Sequence, residues 1–231
     1  MAEQRVQKVL ADQGICSRRE ADRLIGEGKV TIDGRTGVLG DKVLPGMKVR
    51  VDGREAVVKT KKVYIALNKP AGVVCTADPR EPMNVVDYVG HPERIFPIGR
   101  LDKDSEGLLL MTNDGEIVNR ILRAAGGHEK EYVVTVNKVI TDDFLKQMAE
   151  GVPILDTVTL PCRIIKEDKQ RFRIILVQGL NRQIRRMCEA LGYRVTHLTR
   201  ERVMNIQLGH LKPGHWRNLT PAELDGLMAQ L

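Results

Sequence analysis

Aromatic side chains make up only 3% of this 231-residue sequence: three phenylalanines, four tyrosines and one tryptophan. So few rings argue against a protein that grips single strands by stacking base after base. Cysteine is also sparse. Cys16, Cys75, Cys162 and Cys188 lie far apart with no CxxC pair, which excludes a disulfide framework and reads as reduced, buried thiols of a cytosolic protein. The opening Met1-Ala2-Glu3-Gln4-Arg5 has no apolar signal core, and no apolar run approaches the roughly 20 residues that span a bilayer. A soluble, cytoplasmic protein without a membrane partner is expected. There is no P-loop, dinucleotide-binding fingerprint or zinc motif. His91, His128, His197, His210 and His215 have no metal-ligand spacing, so neither a cofactor nor a metal is expected. His128, beside Glu129 and Lys130, is read as lying near a site or on the surface, and Trp216 as closing the core.

What the chain does have is length and positive charge. With 37 lysines and arginines against 30 acidic residues, its net charge is +7. That balance points to a polyanionic partner, recognised by shape and phosphate. The length suits one sizeable domain and a small one.

Residues 1–53 read as the small domain. Val6, Leu10 and Ile15 suggest a short helix broken at Gly14. Ser17-Arg18-Arg19-Glu20 is a capping-box pattern opening a second helix, with Ala21, Leu24 and Ile25 as its apolar face. Val30–Ile32 is a strand closed by the hairpin turn Asp33-Gly34. Val43, a turn at Pro45-Gly46, and Val49–Val51 complete the unit. Arg18, Arg19, Arg23 and Lys29 cluster around the second helix, as a phosphate site or as a solvated face paired with Glu20, Asp22 and Glu27. Residues 54–62 read as a charged linker.

Residues 63–231 alternate short strands and helices. The expected strands are 63–67, 108–112, 132–136, 162–166 and 172–177. The expected helices are 114–123, 141–151, 181–191 and 221–230. The pattern predicts an α+β fold with a mixed, largely antiparallel sheet, preceded by the small α/β domain. The chemistry-bearing stretch is Gly99-Arg100-Leu101-Asp102, a carboxylate on a polar turn ahead of the apolar run Leu108-Leu109-Leu110-Met111. A carboxylate at the mouth of a core can serve as nucleophile or base. Leu67-Asn68-Lys69-Pro70 alone reads as a strand ending in a turn. Lys130-Glu131-Tyr132 opens a strand. Gly179-Leu180-Asn181-Arg182-Gln183-Ile184-Arg185-Arg186-Met187 starts a basic amphipathic helix.

Together these segments, in this order, resemble the RsuA-type family of RNA pseudouridine synthases over about residues 4–224. The N-terminal segment resembles the RNA-binding module first described in ribosomal protein S-four. That likeness favours the phosphate reading of Arg18, Arg19, Arg23 and Lys29. The resemblance implies an isomerase that flips a uridine out of RNA and converts it to pseudouridine. It makes Asp102 the nucleophile, Tyr132 the ring against the base, and Arg185 the partner of Asp102, its fork gripping both carboxylate oxygens. Leu198 falls beneath the target base beside Leu101, with Arg100, Arg182, Arg186, Arg200 and Arg202 as phosphate contacts. The stretches 127–132, 151–155 and 178–189 look most like the RluF branch. That likeness favours large-subunit ribosomal RNA, with tRNA or small-subunit rRNA as alternatives, and a monomeric enzyme. No long basic tail follows the last helix, so RNA affinity is expected to rest on the two folded parts. Two rival readings stay open: a metal-dependent RNA-processing enzyme using Asp102, Asp104, Glu106 and Asp114, and an RNA-binding protein without catalysis.

Overall fold

A computed structural model describes residues 3–56, 61–122 and 127–231. Linker residues 57–60 and the end of the expected helix at Arg123 lie outside them. The chain divides into two compact units: residues 1–63 with 92–94 and 113–115, and the remainder.

In the first unit the helices are Val6–Asp12 and Arg18–Gly26. Ser17 caps the second, its hydroxyl accepting from the Glu20 N–H at 3.1 Å. Val6, Leu10, Ala21, Leu24 and Ile25 pack on Val30, Ile32, Val43 and Val49 of the strands. Each of these valines, leucines and isoleucines, when fully buried, contributes about 1.5–3 kcal/mol. Strand Val30–Ile32 turns into Arg35–Thr36 through Asp33 and Gly34, both at positive φ (47° and 88°), as a tight hairpin of this hand requires. Arg54 and Glu55, expected in the linker, instead pair with strand Val49–Val51, and Ala56 is buried in the core of this unit. The side chain of Ala56 is apolar enough to extend the module past residue 53.

The second unit is built on a mixed sheet. Its strands run in the order Arg163–Asp168, Arg171–Leu176, Lys130–Val136, Val195–Val203, Glu106–Thr112, Tyr64–Lys69 and Trp216–Asn218. Every neighbouring pair along this order is antiparallel except Val195–Val203 with Glu106–Thr112. The α+β class is therefore as expected. Helices Asp142–Glu150 and Gln183–Ala190 cover one half, burying Phe144, Met148, Ile184 and Met187 against Val134, Phe172 and Leu198. Helices Gly115–Leu122 and Pro221–Met228 cover the other, burying Ile117, Ile121 and Leu227 against Leu108 and Leu110.

Several elements add to those expected, and two of them shape the second unit. Helix Val85–Val89 is capped by Asn84. Strand Val195–Val203, which sits in the middle of the sheet, carries Thr196, His197, Thr199, Arg200, Glu201 and Arg202 among few apolar residues, so its strand character is hidden by polar side chains. Trp216 does not close the core. It lies on the edge strand, more than a third exposed, tilted against His91.

Candidate active site

The antiparallel pairing of Lys130–Val136 with Val195–Val203 sets Tyr132 opposite Arg200 and Val134 opposite Leu198. Side chains alternate faces along a strand, so Lys130, Tyr132, Leu198 and Arg200 share one face. All four line a cavity of about 300 Å³, at the small end of ligand pockets and suited to one flat ring. Its rim carries Gly99, Arg100, Leu101 and Asp102 on one side and Arg182, Gln183 and Arg185 on the other.

The loop bearing Asp102 is fixed from below. Leu101 is buried and its N–H meets Cys75 Sγ at 3.3 Å, while the Ser105 N–H closes a turn on the Asp102 carbonyl at 3.1 Å. Lys69, fully buried, donates to the carbonyls of Pro70 and Val73 at 2.8 Å each and of Lys103 at 3.4 Å. Burial pushes this amine below the usual lysine range, against the pull of Cys75, Glu106, Asp102 and Asp104. Lys69 thus ties the strand end at Asn68-Lys69-Pro70 to the Asp102 loop. From the sequence alone this segment reads as a strand ending in a turn; the available signal is a lysine closing the strand Tyr64–Lys69.

Asp102 faces two arginines. Its Oδ2 lies 3.7 Å from Arg182 Nη1 and 3.9 Å from Arg185 Nε. These are ion-pair distances, so the two-oxygen grip expected of Arg185 is not formed. Instead Arg185 Nη2 donates to the Asp104 carbonyl at 3.0 Å and Ser105 Oγ at 3.2 Å. Arg185 Nε is buried with no hydrogen-bond partner among the described residues. Arg182, at the N-cap of helix Gln183–Ala190, adopts φ 50°, which turns its guanidinium back toward Asp102 and Asp104. Burial works to raise the Asp104 carboxyl, but its own backbone N–H, Arg182 and Arg185 outweigh this and hold it below the usual carboxylate range. Gln183, which the sequence reading also passed over, is buried and accepts the Leu180 N–H at 3.0 Å, closing the loop ahead of this helix.

Arg202 is not at the cavity. Arg200 and Arg202 would share a face in a regular strand, but the pairing jumps from Tyr132–Arg200 to Glu131–Arg202, and the extra residue Glu201 forms a bulge. Arg202 emerges on the opposite face, where it binds Glu131 and Glu129 at 2.8 Å each. Burial raises the Glu131 carboxyl, but Arg202 and Arg173 outweigh it and leave it below the usual range. Arg186 also stays off the cavity, held by Asn181 through its backbone and side-chain oxygens at 3.1 and 3.2 Å. His128 is buried, with Nδ1 2.9 Å from the Ile121 carbonyl, and has no surface role. The alternating Asp102, Asp104 and Glu106 do not converge on a cation site. Two of them meet arginines, Glu106 lies 3.4 Å from His197 Nε2, and no group of three potential ligands gathers among the described residues.

In the N-terminal unit the four basic candidates divide. Arg23 is ion-paired with Glu20 and Glu27, and Lys29 with Glu27 at 2.8 Å. Both fit the solvated-face reading. Arg18 and Arg19 are exposed and carry no ion pair among the described residues.

A family model described as RNA pseudouridylate synthase matches residues 63–190, and one described as S4 domain matches residues 4–49. The dual-specificity RNA pseudouridine synthase RluF of Salmonella typhi is 56% identical over 222 residues, covering 95% of this chain and 77% of that protein. Ribosomal large subunit pseudouridine synthase B of Bacillus subtilis (strain 168) is 37% identical, covering 98% of this chain and 96% of its own. Among solved structures, a crystal structure of a pseudouridylate synthase superposes with a TM-score of 0.72 at 27% identity, covering 97% of this chain and 99% of that one.

Proposed function

The chain belongs to the RNA pseudouridylate synthase family, and from that premise we propose that it isomerises a uridine of large-subunit ribosomal RNA, with Asp102 as the nucleophile. The coarser activity, conversion of uridine in RNA to pseudouridine, follows from family membership and from a relative 56% identical over nearly the whole chain. The choice of RNA is supported by the B. subtilis relative named for the large subunit. The RluF relatives are named for dual specificity, which keeps a tRNA as the second substrate to test.

One observation carries the assignment of roles: Asp102, Tyr132, Leu198, Arg182 and Arg185 converge on one cavity of single-ring size. Extruding a base costs a few kcal/mol, and the cavity offers the compensation. Leu198 and the Tyr132 ring supply apolar surface for the flat faces of uracil. Asp102 sits at the rim, where the ribose of an extruded nucleotide follows its base. The two arginines orient its carboxylate while leaving it approachable, and Arg185 fixes the loop through two hydrogen bonds. The outward-facing Arg100 is placed for the flanking phosphate. Arg18 and Arg19 offer further phosphate contacts on the S-four-like module. The reading assigns every role to residues of one chain and its substrate to RNA, so a monomer acting in the cytoplasm is part of the proposal. No described helix is long and apolar enough to cross a membrane.

The test is tritium release from uridine C5, since C5 loses its proton when it bonds to C1′. The RNAs offered are deproteinised large-subunit rRNA, small-subunit rRNA and tRNA. Release from the large-subunit RNA is expected. Release only from tRNA or small-subunit rRNA would move the substrate, and release from none would overturn the reading.

A further inference from the structure

Two cationic side chains that line the cavity have no acidic partner among the described residues. Arg200 is 3% exposed. Its Nε donates to the Leu108 carbonyl at 2.7 Å, and its Nη2 is buried with no hydrogen-bond partner among the described residues. Lys130 lies two residues from Tyr132 on the same face and, among the described residues, donates only to the His128 carbonyl, at 3.2 Å. Neither forms an ion pair among the described residues, whereas Arg173, Arg202 and Arg217 nearby in the same unit all do. Burial and the neighbouring Arg200 guanidinium both push the Lys130 amine below the usual lysine range. Two like charges held together in a partly buried cavity, with N–H groups unspent, are costly unless something negative arrives. Both line the cavity that also holds Tyr132 and Leu198.

We propose that Lys130 and Arg200 form a cationic hole that receives the negative charge developing on the uracil ring during turnover, rather than a backbone phosphate. This rests on the pseudouridine synthase reading. The isomerisation breaks N1–C1′, and three routes are open to Asp102. Its carboxylate attacks C1′ and the bond's electron pair leaves with the ring. Alternatively it takes the C2′ proton, a C1′–C2′ double bond forms, and the same pair leaves with the ring. In the third route it adds to C6 and the C5–C6 pair moves toward O4. In each case a full negative charge is spread over the ring and its carbonyl oxygens. In the first route the C5 pair then bonds C1′ and displaces the aspartate. In the second the proton returns to C2′ as C5 bonds C1′. In the third the N1–C1′ pair leaves to N1, C5 bonds C1′, and the C5–H pair restores the C5–C6 double bond as the aspartate departs from C6. The C5 proton is lost and N1 gains one, so atoms and electrons balance without a co-reactant. The charge appears on the base whichever route holds. Donors arranged in advance at the point where charge develops are the largest source of rate acceleration in many enzymes. A phosphate, by contrast, stays with the backbone outside a cavity of this size.

The experiment measures single-turnover tritium release from C5-labelled large-subunit rRNA at saturating enzyme, with RNA affinity over a salt series. Lys130→Gln is expected to slow the reaction about 100-fold, the scale of one lost charge-stabilising donor. Its Kd and salt slope should match the unaltered enzyme. Lys130→Arg should recover at least about ten-fold of that loss, because the charge returns. Arg200→Lys should slow turnover with Kd unchanged. If it does not fold, the two Lys130 variants still decide. A weaker Kd with a salt slope shallower by about 0.7, at unchanged rate, would identify a phosphate contact and overturn the proposal. So would a Lys130→Gln rate within about three-fold of the unaltered enzyme, or Lys130→Arg as slow as Lys130→Gln. The unaltered enzyme's own rate is the reference, so its complete absence would instead count against the pseudouridine synthase reading.

Discussion

Arg182 and Arg185 both face Asp102, but they are held differently and should respond differently to removal. Arg185 is 10% exposed and donates to the Asp104 carbonyl and Ser105 hydroxyl. Arg182 is 39% exposed, and its contacts with Asp104 lie at 3.4 and 3.5 Å. Hydrogen bonds from a buried charged group are worth about 1.5–3 kcal/mol, exposed ion pairs about 0–1. Arg185→Ala should therefore lower unfolding free energy by about 2 kcal/mol and also stop tritium release. Arg182→Ala should slow release while changing stability by less than about 1 kcal/mol. Urea unfolding beside the activity assay checks this, and equal destabilisation by the two would contradict the distinction. At this scale, motif order in the sequence brought out Asp102, Tyr132, Arg185 and Leu198. The sequence does not single out Lys69 and misplaces Arg202 for a common reason. The environment of each depends on distant chain: the Lys103 carbonyl in one case, and the bulge that turns Arg202 toward Glu131 in the other.

Among elements, strand Val195–Val203 decides how much of the site exists, and Gly107 decides whether that strand can take its place. The parallel pairing sets Arg200 against Gly107. A Cβ on Gly107 would lie 2.3 Å from the Arg200 carbonyl oxygen and 2.7 Å from its nitrogen, and its φ is +100°. Gly107→Ala combines strain in a glycine region with a backbone clash and should cost more than about 3 kcal/mol or prevent folding. Gly72, at φ +90° with open space around it, is the control, and its alanine variant should cost about 1 kcal/mol. Similar melting points for the two variants would contradict this account. Helix Pro221–Met228 offers a pH test. Thr220 and Glu223 form its capping box, and Glu223 also grips Arg217 at 2.7 Å through both oxygens. Chiefly because of Arg217, the Glu223 carboxyl falls from an ordinary 4.5 to about 2. A carboxyl lowered in the folded state adds stability that is fully present above about pH 4.5 and lost as pH falls toward 2. The stability gap between the unaltered protein and Glu223→Gln should be constant above about pH 5.5 and close below pH 3. A gap independent of pH would rule out the ion pair as its source. The helix is legible in the sequence at 221–230, whereas its cap and the Arg217 partner of Glu223 emerge only in the structure. The central strand is not legible, because the side chains that line the cavity break the apolar alternation by which a strand is read.

For the whole molecule, positive charge is the property that the sequence states most directly, but the structure divides it unevenly. Many arginines are neutralised where they stand: Arg23 by Glu20 and Glu27, Arg202 by Glu129 and Glu131, and Arg217 by Glu223. Salt-dependent RNA affinity should come from those that are not. Replacing Arg18 and Arg19 together with alanine should make the slope of log K against log salt shallower by about 1.4, or about 0.7 for each lost phosphate contact on single-stranded RNA. Arg23→Ala should leave the slope unchanged. Equal effects would mean that ion pairing in the module does not decide which arginines reach RNA.

The most direct test of the central claim is single-turnover tritium release by Asp102→Asn, with RNA affinity measured on the same preparation. Asparagine keeps the size and the loop but has no carboxylate. The account predicts that release is lost while Kd stays within about two-fold, because binding rests on groups elsewhere. Release within ten-fold of the unaltered enzyme would remove Asp102 from the reaction and contradict the account.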